Sequence, residues 1–299
     1  MSSLHPSGLP APPDQQPPAE QPQLDAPTLP PPTGRAGWRP WTAWAAILAG
    51  FGVTVAGGIV VAIVTATLGG DIKDPPAGVN IGLTLFQNLA LIGAALLFAL
   101  LAGRPTGEDF GLRGTRFWRS VGLMVSVLVG FYVFSLIWGS ALNLDEEQTL
   151  PDELGVGGSD LNLVLVTVLI CVVAPLGEEI FFRGYFFGAL RNWRGWVPAA
   201  IITGLVFGAI HIGSSPIGFT VPLGVFGFLL CMLYQRTGSL YPCIALHALN
   251  NSAAFGFTQE WTWEIAPVAV GAVIVSLTIA RLFSGALGAR APSAPAPAG

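Results

Sequence analysis

Five side chains with chemistry to offer sit among apolar neighbours: Glu178, Glu179, His211, His247 and Asn251. Glu179 is followed four residues on by Arg183, His211 is preceded four residues back by Phe207, and His247 and Asn251 are themselves four apart. An ionisable group inside a membrane helix costs on the order of a few kcal/mol and is by default part of a functional site. This set suits peptide hydrolysis. A carboxylate takes a proton from water, an imidazole orients that water, and imidazole or amide N–H groups meet the charge that develops on the carbonyl oxygen. Glu178, His211 and His247 also suit Zn²⁺, three ligands leaving a fourth position for water. The HExxH spacing of many zinc proteases does not occur. Both a metal-free and a zinc-assisted reading stand at this level.

Helix geometry divides the two acids. Residues four apart share a face and neighbours do not, so Glu179 faces Arg183 in the favourable acid-first order, and a buried structural salt bridge accounts for both. Glu178 points elsewhere and is left for chemistry. Depth gives a second criterion at about 1.5 Å per residue. Glu178 lies about 20 Å in from Arg191, His211 about 22 Å from Trp196, and His247 and Asn251 about 14 and 20 Å from Gly238. Three helices running in different senses thus bring these groups to a similar level, as a site between helices requires.

The elements that hold them are membrane helices. Of 299 residues 52% are hydrophobic and 10% charged, where an average soluble domain has about a quarter charged. Eight apolar runs approach the ~20 residues needed to span a bilayer, at about 41–68, 79–102, 118–142, 161–182, 196–213, 217–235, 239–257 and 264–283. The expected fold is an all-α polytopic membrane bundle of about eight helices. Eleven prolines in residues 1–37 predict a disordered tail, and 285–299 a second, Ala/Pro-rich one. Between them, 38–160 supply three spans and 161–284 five. No cleavable signal peptide is expected. Arg35, Arg39, Arg104, Arg113, Arg116, Arg119, Arg191, Arg194, Arg236, Arg281 and Arg290 fall on one side if both termini are cytoplasmic. The opposite connections carry Lys73 with Asp71, Asp74, Asp145, Glu146, Glu147, Asp152, Glu153, Asp160, Glu260 and Glu264. Nine tryptophans cluster at run ends, as interface-seeking indoles do. The bases form no stripe that could bind nucleic acid. Cys171, Cys231 and Cys243 lie inside apolar runs and read as small buried hydrophobes.

The motifs Glu178-Glu179-x-x-x-Arg183, Phe207-x-x-x-His211 and His247-x-x-x-Asn251, in that order over about residues 160–257, resemble the CPBP family of intramembrane proteases, which includes the CAAX prenyl endopeptidases. The resemblance implies a bundle of about eight membrane helices with a cavity open to the cytoplasm. It implies Glu178 as general base helped by His211, His247 and Asn251 as the oxyanion site, and Glu179, Arg183 and Phe207 as support. The family is commonly labelled a metalloprotease, and a purely glutamate-dependent mechanism has also been proposed for it. The implied activity is cleavage of a membrane-bound peptide or protein. The composition resembles that of a high-GC bacterium, so an integral protein of a bacterial cell membrane is expected. Two other classes remain: a proton-coupled transporter in which Glu178, His211 and His247 relay protons, and a catalytically idle scaffold or immunity-type protein. A serine protease lacks its Gly-x-Ser-x-Gly-like element, and no aspartate lies inside a run for an aspartyl protease.

Overall fold

A computed structural model describes residues 37–143, 150–212 and 214–288. The Pro-rich segment before residue 37, the acids Asp145, Glu146 and Glu147, and the end of the Ala/Pro tail lie outside the described residues. Among those described the chain is helical, with one isolated bridge between Ile212 and Ser215. α1 spans Pro40–Thr67, opening with proline in the first turn, where its missing N–H is no loss. α2 spans Ala77–Leu100 and α3 Phe117–Leu142, the latter ended by Asn143 in the left-handed region. α4, Asp160–Arg194, starts on Ser159, whose side chain accepts the Asn162 N–H, and stops at Gly195. α5 is Trp196–Ala209, α6 Ile217–Thr237, α7 Tyr241–Thr258 and α8 Ile265–Leu287. α8 carries helix three residues into the segment expected to be tail.

All eight apolar runs are therefore helices, and six of them, α1, α2, α3, α4, α6 and α8, are long and apolar enough to cross a membrane. α5 is apolar but has only 14 residues, and α7 interrupts its apolar run with His247, Asn250 and Asn251. α4, with 35 residues, is about 50 Å long and exceeds the ~30 Å hydrocarbon core. Large apolar side chains face outward along α1, α3 and α8, Leu48, Leu136 and Leu282 among them, while the ionisable Glu179 and Arg183 are fully buried. That inversion is what lipid as solvent demands. Trp41, Trp44, Trp118, Trp193 and Trp263 are exposed as run-end indoles should be; Trp38 is instead packed inside, against Tyr185 and Phe110.

α5 and α6 approach through glycine. A Cβ on Gly204 would stand 2.7 Å from the Gly224 oxygen, and one on Gly208 would meet the Thr220 oxygen and stand 3.0 Å from the Gly224 Cα. Small residues let membrane helices touch backbone to backbone, where close packing replaces the missing hydrophobic drive. This contact holds Phe207 and His211, on and just beyond α5, against α6. Gly208→Leu is expected to cost about 3 kcal/mol by overpacking, read as a lowered unfolding midpoint in detergent. Gly93→Leu, where nothing lies within 4 Å of the added Cβ, is expected to leave the midpoint unchanged or higher.

Candidate functional site

The long helix α4 is not a uniform α-helix. Leu169–Val173 and Glu179–Phe186 are π-helical turns, a form that recurs at functional sites. The first has a local consequence. The Ala174 N–H reaches back five residues to the Leu169 carbonyl, and in the same register the Ile170 carbonyl would need the N–H of Pro175, which proline lacks. That carbonyl is instead met from α7: Asn251 Nδ2 donates to it at 3.0 Å. One missing backbone donor thereby fixes the position of a predicted site residue.

Arg183 and Glu179 are both 0% exposed, and Arg183 Nη1 donates to Glu179 Oε1 at 2.8 Å. Arg183 Nη2 donates to the Gly227 carbonyl at 3.1 Å, and the guanidinium lies 4.5 Å from the centre of the Phe207 ring. The same Glu179 oxygen accepts from His247 Nδ1 at 2.8 Å. A carboxylate only accepts here, so Nδ1 carries the proton and Nε2 is the nitrogen left to face Glu178, 3.8 Å from its Oε2. The ring is held edge-on against Phe207 and Phe226. Glu178 Oε2 is buried without a hydrogen-bond partner among the described residues. His211 Nδ1 lies 2.7 Å from the Phe207 carbonyl, which can only accept, so its Nε2 is likewise the free nitrogen.

Glu178, Phe207, His211, His247 and Asn251 all line one cavity of 620 Å³, within the size range of ligand pockets. Glu179 and Arg183 do not line it; they lie behind His247. Sequence spacing anticipated the pairing of Glu179 with Arg183 but not its second bond to His247, which is tertiary. It also passed over Asn88 and Asn250. Both amides are buried, both line the cavity, and each has its side-chain oxygen unpartnered among the described residues. The signal for Asn88 was present, since it is a polar residue inside the second apolar run. Gly177 makes room for it, because a Cβ there would stand 2.7 Å from Asn88 Oδ1.

Among the described residues no three His, Cys, Asp or Glu side chains are grouped to hold a metal ion. His247 gives Nδ1 to Glu179 and His211 gives Nδ1 to a carbonyl, which leaves Nε2 of each ring free. The lining is drawn from each of α2 to α7, from the turns after residue 150 and from the α5–α6 connection. At one end it is closed by Leu91, Phe131, Phe207 and Phe226, none more than 8% exposed. At the other it reaches the partly exposed Ser214 and Ser215 and the exposed Thr258.

Residues 160–253 match the protein family described as Type II CAAX prenyl endopeptidase Rce1-like, so the resemblance carried by the three motifs is shown over that segment. The chain is 30% identical to a Bacillus subtilis protein named "Putative membrane peptidase YdiL" over 170 residues, 53% of this chain and 66% of that one. It is 30% identical to an Escherichia coli protein named "Uncharacterized 24.3 kDa protein" over 134 residues, 43% of this chain and 61% of that one. It is 23% identical to a Lactococcus lactis protein named "UPF0177 protein YxdF" over 109 residues, 36% of this chain and 56% of that one. The chain thus covers less than two thirds of the length of each. No solved structure matches it.

Because Arg183 is fully buried, Glu179→Ala strands a cation, and a loss of about 3–5 kcal/mol is expected, measured as unfolding of the purified protein in detergent. The apolar pair Glu179→Leu with Arg183→Met is expected to recover most of that loss.

Proposed function

We propose, on the premise that residues 160–253 form an Rce1-like segment, that the chain is an intramembrane endopeptidase hydrolysing a peptide bond of a membrane-associated protein or peptide. The observation that carries this reading is the convergence of Glu178, His211, His247 and Asn251, from separate helices and the end of α5, on one largely apolar cavity.

Glu178 serves as general base. Its unpartnered Oε2 takes a proton from water as the water oxygen bonds to the peptide carbonyl carbon. His211, whose Nδ1 proton is committed to the Phe207 carbonyl, offers Nε2 as the acceptor that orients the water. The carbonyl oxygen becomes an oxyanion. Asn251 holds one amide hydrogen on the Ile170 carbonyl and has a second to donate to that oxyanion. His247 donates through Nε2 when its ring is protonated, with the Glu179 carboxylate on its Nδ1 side to balance the charge. Glu178 then returns the proton to the leaving nitrogen as the C–N bond breaks. Glu179 is a positioning residue that sets which nitrogen of His247 faces the cavity, and Arg183 and Phe207 hold Glu179 and the ring in place.

Wild-type protein in proteoliposomes is expected to cleave members of a membrane-peptide library, read by mass spectrometry. Glu178→Gln and His211→Ala, each still folded, are expected to lose about 10²–10⁴-fold in rate. Asn251→Ala is expected to lose about 10²–10³-fold. Wild-type cleavage by Glu178→Gln would overturn the assignment. Metal analysis of the same preparation separates a water activated by glutamate alone from one that also uses Zn²⁺.

A further inference from the structure

The helices sort their connections into two ends, and hydrogen bonds tie each end together. At the first, Arg113 Nε donates to the Gly238 carbonyl at 2.6 Å, and Ser239 Oγ to the Arg113 carbonyl at 2.6 Å. The Leu240 N–H donates to the Gly111 carbonyl at 2.8 Å, and Asn192 Nδ2 to the Trp38 carbonyl at 3.0 Å. These bonds join the α2–α3 connection to the α6–α7 connection and the approach to α1 to the end of α4, and the Trp38 ring, 5.2 Å from that of Phe110, brings the two pairs onto one surface. It carries Arg39, Arg104, Arg113, Arg116, Arg194 and Arg236. At the second end Asn80 Nδ2 donates to the Glu153 carbonyl at 2.8 Å, and Trp138 Nε1 to the Gly218 carbonyl at 2.9 Å. The first bond joins the start of α2 to the turns after residue 150 and the second the end of α3 to the start of α6, and all four line the cavity, through Thr84, Leu150, Trp138 and Gly218. Among the described residues Lys73 is the only base in the connections of this end.

The cavity belongs to the second end. Its closed floor faces the arginines, and beyond that floor the segment 105–112, mostly buried, packs over Tyr234. The sequence led to two expectations: arginine-bearing connections in the cytoplasm, and a cavity open to the cytoplasm. In this structure they exclude each other. The arginines decide between them, because basic residues in short connections set the orientation of membrane helices.

We infer that the cavity opens to the extracytoplasmic face, and that the polypeptide it receives is the outer juxtamembrane segment of a membrane protein rather than a cytoplasmic tail. The identity of the occupant rests on the peptidase reading; the orientation does not. A cytoplasmic tail would arrive at the arginine end, where 105–112 and the aromatic floor stand between it and Glu178.

The test uses single cysteines in the full chain, since Cys171, Cys231 and Cys243 are buried. Thr258→Cys, exposed at the mouth, and Ile72→Cys, exposed in the α1–α2 connection, report the cavity end, and Ala102→Cys the arginine end. In intact spheroplasts a membrane-impermeant maleimide is expected to label Thr258→Cys and Ile72→Cys, and Ala102→Cys only after lysis. The reverse pattern overturns the inference, and Ile72→Cys decides it should Thr258→Cys fail to fold. Prior labelling of Thr258→Cys with a bulky maleimide is expected to abolish cleavage of a membrane-anchored reporter. Undiminished cleavage by the fully labelled protein overturns the cavity as the route of entry. A protein that labels as expected yet cleaves no membrane peptide overturns the peptidase reading while the orientation stands.

Discussion

A guanidinium with no access to water organises the centre of this bundle. Arg183 is fully buried, and a charge so placed persists only if it is met by an opposite charge and further acceptors. Glu179 supplies the charge, the Gly227 carbonyl a second acceptor, and the face of Phe207 a third contact. The consequence extends beyond neutralisation. The oxygen of Glu179 that meets Arg183 also takes the Nδ1 proton of His247, so satisfying one cation orients an imidazole on a different helix. That ring then presents its other nitrogen toward Glu178. The arrangement of the cavity wall follows from how a single arginine is kept out of lipid.

Bringing helices together around that arginine requires backbones closer than ordinary side chains permit, and the means differ from helix to helix. Between α5 and α6 it is the absence of side chains, at Gly204, Gly208 and Gly224. Between α4 and α7 it is the absence of a hydrogen, on Pro175, which leaves a carbonyl that Asn251 fills. Between α2 and α4 it is Gly177, where a methyl would strike Asn88. Each device removes an atom group that would hold helices apart. In lipid, contact has to be built by such subtraction, because apolar side chains gain little by leaving one apolar medium for another.

The helices themselves were legible. Every apolar run became a helix with bounds shifted by a few residues, except that α4 continues twelve residues past its run to Arg194, because hydrophobic length is the dominant signal for a segment in lipid. The convergence of Glu178, His211, His247 and Asn251 was legible too, from depth along helices of opposite sense. What escaped was tertiary. The i, i+4 rule foresaw Arg183 as the partner of Glu179, but no local rule says that a carboxylate oxygen is shared with a ring 68 residues away. Asn88 escaped because it was judged by its apolar run rather than as an exception to it. Trp38 was grouped with interface indoles although it packs within the core. The open end of the cavity was not readable at all, since it depends on which ends of neighbouring helices splay and which are stitched by bonds such as Arg113 to Gly238.

The aromatic floor formed by Phe131, Phe207 and Phe226 closes this chamber on the arginine side among the described residues. On the peptidase reading, a bound segment shares the doorway with the water that cuts it, and both fragments leave the way the segment came. Traffic through that doorway, rather than bond breaking, is then the natural place for turnover to be limited, and a segment that fits too well becomes its own stopper.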